Sequence, residues 1–263
     1  MLNQKETAMK KLNTNLTLAA ALTLVMATLG GAAHAADAPA AQPEHVVAYN
    51  VALTTDYRFR GISQSARNPA LQGGADFTHT PSGLYAGTWL STIKWIKDTP
   101  TATGFGDSNI EWDIYAGKRG EIVKDVTYDI GGLGYVYPSN DFDTNANTFE
   151  LYGQLGYGPA YIKYSHSTTN LFGVPDSKNS GYLDIGVNYD IYQGYTLNLH
   201  AGHQKIKNAA DNINDYKIGV TKDFGIATVA LAAIRADLPT FFAGSGPKNM
   251  AKTGLVLTVS KTF

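Results

Sequence analysis

The chain has 263 residues, no cysteine, and 21 basic against 22 acidic side chains. Without cysteine there is neither disulfide nor thiol chemistry, and the near-neutral balance gives no reason to expect nucleic-acid binding. Glycine, at 27 residues, disfavours helix interiors, while tyrosine, at 16, favours strands and suits a membrane–water boundary.

Residues 1–35 read as a signal peptide. Met9-Lys10-Lys11 supply a positive start, Leu16 to Leu29 an apolar stretch of only about fourteen residues, and Ala33-His34-Ala35 the small-x-small form that signal peptidase cuts. An uncleaved membrane helix is the poorer reading, because it needs about 20 apolar residues. Met9 is a better initiator than Met1. Cleavage after Ala35 removes Lys5, Lys10, Lys11 and Glu6, so 21 basic and 22 acidic residues become 18 and 21, a net charge of −3. Residues 36–45 form an Ala/Pro tail expected to be disordered, and residues 46–263 one domain.

That domain alternates short and long connections. The short turns are His79–Gly83, Arg119–Lys124, Tyr157–Pro159, Asp190–Gly194 and Lys222–Gly225. The longer loops are Gly61–Asn68, Lys94–Ser108, Pro138–Ala146, Ser167–Lys178, Lys205–Asp211 and Leu238–Met250. Short turns toward the periplasm and long loops outside are the order of an outer-membrane barrel. The prediction is an all-β fold: a transmembrane antiparallel up-and-down β-barrel of about twelve strands, with ten or fourteen as alternatives.

The segments alternate as such strands should. Val47, Tyr49, Val51, Leu53, Tyr57 and Phe59 form one row against Ala48, Asn50, Ala52, Asp56, Arg58 and Arg60. Trp89, Trp95 and Trp112 group with Tyr85 and Tyr115 and are expected to form an aromatic girdle. Ile110, Trp112 and Ile114 oppose Glu111 and Asp113. In residues 125–137 the Gly131-Gly132 pair suggests a bulge that switches the phase. Phe149, Leu151 and Leu155 oppose Glu150, Tyr152 and Gln154. Leu183, Ile185 and Val187 oppose Asp184 and Asn188. Leu197 and Leu199 oppose Asn198 and His200, and Tyr216, Ile218 and Val220 oppose Asp215, Lys217 and Thr221. Residues 225–236 are apolar on both faces up to Arg235. Period alone does not say which row meets lipid. The signal, the loop order and the last strand do: Leu255, Leu257, Val259 and terminal Phe263 share a face, like the C-terminal signal read by the barrel assembly machinery, with Lys261 as a departure from it.

The stretch Thr54-Thr55-Asp56-Tyr57-Arg58-Phe59-Arg60-Gly61-Ile62-Ser63-Gln64-Ser65 is followed by Asn68-Pro69-Ala70-Leu71-Gln72-Gly73-Gly74 and Gly83-Leu84-Tyr85-Ala86-Gly87-Thr88-Trp89. It resembles the opening of the TorF family of porins, also called the Gcw_chp family, and the resemblance runs from about Val47 to Phe263. It implies an outer-membrane channel, without a substrate or site residues.

The candidate pore-lining residues are Asp56, Arg58, Arg60, Asp76, Glu111, Asp113, Glu150, Lys163, Asp184, Asp215 and Lys217. Charged rings tune ion selectivity; the plainer reading pairs the arginines with Asp76, Glu111 or Asp113 to lock the barrel. The acid excess implies a weak cation preference. His200 and His203, three apart, fall on opposite strand faces and make a poor metal pair, and His79 and His166 stand isolated. Asp141-Phe142-Asp143 with Asn145 lacks the acidic closure of a calcium loop. A rim hydrolase is the rival class, but Ser63, Ser65, Ser91 and Ser165 lack a nucleophile-elbow context. No catalytic, metal or cofactor site is predicted. The expected function is passive diffusion of small hydrophilic solutes, alone or as an oligomer, within outer-membrane lipid and lipopolysaccharide. The alternative is a closed structural or adhesive barrel acting through loop residues such as Phe172, Phe241 and Phe242.

Overall fold

The computed structural model of the chain describes residues 43–102, 104–209, 212–238 and 248–263. The predicted signal peptide, most of the tail, Asp211, Phe241 and Phe242 lie outside them. The described residues form one closed barrel of twelve antiparallel strands. They are β1 (His45–Thr54), β2 (Ala70–His79), β3 (Leu84–Thr92), β4 (Ile110–Val123), β5 (Val126–Val136), β6 (Thr148–Tyr157), β7 (Ala160–Ser167), β8 (Gly181–Tyr192), β9 (Tyr195–Lys205), β10 (Ile213–Asp223), β11 (Thr228–Ala236) and β12 (Gly254–Thr262). Each strand pairs with the next, and β12 closes on β1 with Asn50 opposite Thr262 and Leu53 opposite Val259. Closure leaves no unpaired sheet edge, which is the condition for a sheet to cross lipid. Among the described residues no helix is long and apolar enough to span a membrane.

The two faces are inverted relative to a soluble barrel. Leu53, Ile218 and Leu255 point outward and are 58%, 58% and 70% exposed, while Glu111, Asp113, Glu150 and Asp215 point inward and are buried. Water outside would leave whole rows of leucine, isoleucine and valine unpaired with any apolar neighbour. Lipid outside removes that cost, and the inward polar groups find one another.

Several strand-level expectations need correction. The first strand ends at Thr54, so Asp56, Tyr57, Arg58, Phe59 and Arg60 do not continue it; Tyr57, expected on the lipid row, is only 1% exposed. No phase switch occurs at Gly131-Gly132, where β5 pairs with β6 in unbroken register. Those glycines serve close approach instead: a Cβ at Gly131 would come within 2.6 Å of the Tyr152 hydroxyl. Irregularities lie in β4, between Glu121 and Val123, and in β8, between Asp190 and Tyr192. The strands also run further into the short turns than predicted, since β4 reaches Val123 and β8 reaches Tyr192. Gln193 and Gly194, with φ of 47° and 76°, make that last turn, the paired positive values of a type I′ hairpin. The aromatic girdle is also misplaced. Trp112 does face outward, but Tyr85, Trp89 and Tyr115 point into the barrel, and Trp95 lies in the β3–β4 loop.

Candidate functional site: the lumen and its inserted hairpin

The segment between β1 and β2 folds back into the barrel. Arg58 pairs with Ser63 and Phe59 with Ile62 in a short ladder, closed by Arg60 and Gly61 at φ of 47° and 77°. Both central residues are left-handed, so this too is a type I′ turn. A non-glycine there costs on the order of 1–2 kcal/mol, and Arg60 is held in place by its contacts across the lumen. Its Nη2 donates to both carboxylate oxygens of Glu150 on β6, at 2.9 and 2.7 Å. Its Nη1 donates to Gln204 on β9, and the guanidinium stacks 4.2 Å from the Tyr182 ring centroid on β8. Gly61 abuts β10 and β11, where a Cβ would meet the Arg235 carbonyl oxygen and Asp215 Cβ at 2.6 Å. The hairpin therefore bridges the lumen from β1 to β10 and β11.

Its base is equally fixed. Arg58 Nε donates to Asp56 Oδ2 at 2.8 Å, and Nη1 to the carbonyls of Gly61 at 3.0 Å and Lys252 at 2.8 Å. Tyr57 Oη donates to Glu111 Oε1 at 2.7 Å, and Tyr137 Oη to Glu111 Oε2 at 3.1 Å. Above it the loops contribute an aromatic cap. Phe172 packs edge-on against Phe59 and Tyr135, with centroids 5.5 and 5.1 Å apart, and Trp95 against Tyr137 and Phe142 at 5.4 and 5.6 Å. Beside the hairpin a cavity of about 200 Å³ stays open, bounded by small side chains of β11, β12 and β1 such as Ala52, Ala230, Ala232, Thr258 and Ser260, and also by Trp89, Tyr135, Tyr161 and Tyr182.

A family model described as a bacterial protein of unknown function (Gcw_chp) matches residues 37–263. The chain belongs to the Gcw_chp family. Among solved structures, the barrel is similar to a KdgM porin, at 6% identity and a TM-score of 0.52, with 82% of this chain and 97% of that one covered. It is similar to KdgM porin in complex with disordered oligogalacturonate at 7% identity and 0.51, with the same coverage, and to LpxR from Salmonella typhimurium at 11% and 0.42, with 82% and 99% covered. No curated protein sequence matches. Identities this low speak for the barrel fold and not for its cargo.

In this Gcw_chp barrel the arginines do not find the acids first considered for them. Arg58 pairs with Asp56 beside it, and Arg60 with Glu150. Asp76 accepts instead from Tyr115 Oη at 2.6 Å. Asp113 is buried next to Glu111, with no hydrogen-bond partner on Oδ1 among the described residues. Lys163 Nζ lies 4.1 Å from the Tyr152 ring centroid. Asp184 and Asp215 bracket His200, at 2.8 Å from Nδ1 and 2.6 Å from Nε2, and Lys217 lines the same cavity. His203, as its spacing implies, faces outward.

Two inward residues were not singled out from the sequence: Asp129 accepts from Tyr85 Oη at 2.6 Å, and Tyr182 donates to Asp215 at 2.9 Å. His200, weighed from the sequence only as half of a metal pair, joins the two aspartates. Asp129 shares its row with Leu133 and Tyr135; the expected phase switch hid it. Among the described residues, none of Ser63, Ser65, Ser91 or Ser165 hydrogen-bonds a histidine. Nor do Asp141 and Asp143 gather a cluster of His, Asp or Glu ligands among the described residues.

Proposed function

We propose that the chain is a narrow outer-membrane channel for passive diffusion of small hydrophilic solutes, constricted by the hairpin of residues 55–69. The observation that carries this reading is the uneven filling of the lumen. The hairpin and its aromatic cap fill much of the lumen, while a cavity stays open beside them where β11, β12 and β1 present small and polar side chains, with Trp89 and Tyr135 on its other border. A lumen serving only as a core would be filled on that side too.

Asp56, Arg58, Arg60, Lys163, Asp184, Asp215 and Lys217 border this path and would set its selectivity, with Glu150 behind Arg60. Asp76, Glu111 and Asp113 stand on the packed side and act through the field. Inward carboxylates outnumber inward cations, which supports a weak cation preference and offers no basic ladder for an acidic sugar. Residues 1–35 serve as the cleaved export signal, and the strand ending at Phe263 as the handle for barrel assembly. Outer-membrane lipid and lipopolysaccharide meet the outward rows. The reading requires no covalent chemistry.

The alternative, a closed structural or adhesive barrel, draws on the cap of Trp95, Tyr137, Phe142 and Phe172 over the loop-bearing mouth. Single-channel recording in a planar bilayer separates the two. Ohmic steps, with a reversal potential in a salt gradient that reports cations, are expected. Silence from protein shown to be folded by heat-modifiable gel migration selects the closed barrel, and anion preference removes the charge assignment.

A further inference from the structure

At the barrel end that carries the short turns, β1 and β2 place His45 directly opposite His79. Both lie on the outer row, in phase with Val47 and Phe77, and their rings stack with centroids 5.1 Å apart. His45 also stacks on Phe77 at 5.7 Å. Glu44, just before β1, is tied down by Thr80: its carbonyl accepts the Thr80 N–H at 2.9 Å, and Thr80 Oγ1 donates to the Pro43 carbonyl at 2.8 Å. Glu44 Oε1 then lies 3.4 Å from His79 Nε2 and 3.7 Å from His45 Nε2. One ligand atom from each of the three residues falls within 4.8 Å of the others, and no other such group of His, Cys, Asp or Glu occurs among the described residues.

We infer that Glu44, His45 and His79 form a binding site for a divalent transition-metal ion of the zinc class at this rim. Two imidazole nitrogens and one carboxylate oxygen are donors that suit such an ion and leave a fourth position for water. Donors about 2.0–2.1 Å from a tetrahedral ion stand roughly 3.3 Å apart, close to the separations of both rings from Glu44. The site also has outer support. His79 Nδ1 lies 2.6 Å from Ser82 Oγ, which in turn accepts the Leu84 N–H at 3.2 Å. Metal-bound histidines commonly donate their second ring N–H to such a partner. With Nδ1–H given to Ser82, the Nε2 lone pair of His79 faces a carboxylate oxygen, an arrangement that a cation between them converts from repulsive to attractive. The three side chains are 67%, 58% and 30% exposed, so an ion has direct access. Binding would clip the segment before β1 to the β2–β3 turn. It requires nothing of the lumen, and stands or falls apart from the channel.

The test is calorimetric titration with Zn²⁺ of untagged protein extracted from membranes and stripped with a chelator. One ion per chain is expected. His79→Ala and Glu44→Gln should each weaken binding at least about tenfold, given that even outer-shell partners commonly contribute 10–100-fold. Ser82→Ala should weaken it about tenfold, and His203→Ala should leave it unchanged. Loading with Cu²⁺ gives a second readout. Spin resonance should show two coupled nitrogens in the parent and one in His45→Ala. Gel migration checks that each variant is folded. No saturable binding by folded protein overturns the proposal, as does binding that survives His79→Ala, which would mean an adventitious ion only.

Discussion

The two sides of the lumen share one backbone geometry and one outward row, yet one is crowded with large rings and the other carries small side chains. On the β3–β6 side the inward positions hold Tyr85, Trp89, Tyr115, Leu133, Tyr135 and Tyr152, with Tyr57 inserted among them. On the β11–β12–β1 side they hold Ala230, Ala232, Thr258, Ser260, Ala52 and Asn50. Strand number sets the circumference of a barrel, but the volume of inward side chains and of any inserted loop sets the bore. Glycine works toward filling here. At Gly87 and Gly117, as at Gly131, an added Cβ would strike the ring of Tyr115 or Tyr85, so the bare backbone is what lets the tyrosines lie flat across the wall.

The largest effect should come from the contact that holds the hairpin across the open space. Glu150→Ala leaves Arg60 buried without its carboxylate, and breaking a buried pair in this way costs roughly 3–5 kcal/mol. Chemical unfolding in detergent should register the loss. If the hairpin is the constriction, conductance and its noise should rise as well. Destabilisation with unchanged conductance would leave Arg60–Glu150 as a brace and move the narrow point elsewhere.

Two changes probe the packed wall itself. Tyr57→Phe removes the donor to Glu111 and leaves Tyr137 as its other partner; a hydrogen bond to a charged group contributes about 1.5–3 kcal/mol. Gly131→Val forces side-chain atoms into the Tyr152 hydroxyl and the Ala116 carbonyl, an overpacking that costs about 1–3 kcal/mol. Both should lower the unfolding midpoint and leave conductance near the parental value. An increase in conductance from either would mean that the path also runs past Glu111 or Tyr152.

The sequence carried the outward rows because lipid demands them at every second residue, as Ile110, Trp112 and Ile114 illustrate. It concealed the hairpin because Tyr57 and Phe59 prolong the apolar alternation of Val47 to Leu53 past the true strand end at Thr54. The available signal was Arg60-Gly61, flanked on each side by an alternating pair, which reads as a two-residue turn. Trp89 and Tyr85 were misread for a different reason: aromatic residues suit both a girdle and a polar lumen. The phase of Leu84 and Leu90, both exposed on the outer row, places the two rings inside. His79 looked isolated because its partners come from strand register and not from sequence spacing.

The smallest effect on stability, and the sharpest on transport, is expected on the open wall. Ala232 faces the cavity, and its partner across β10 is Gly219, which offers no side chain to collide with. Ala232→Leu therefore adds volume to empty space, and the stability change should stay within about 0.5 kcal/mol. Conductance should fall, because the added carbons occupy the route that the small residues leave free. The same substitution on the packed side has no room, so equal volume added to the two walls would trade opposite currencies: stability at Gly131, permeation at Ala232. If Ala232→Leu left conductance untouched in a barrel that conducts, ions would not pass along β11. The contrast between the walls would then describe packing alone.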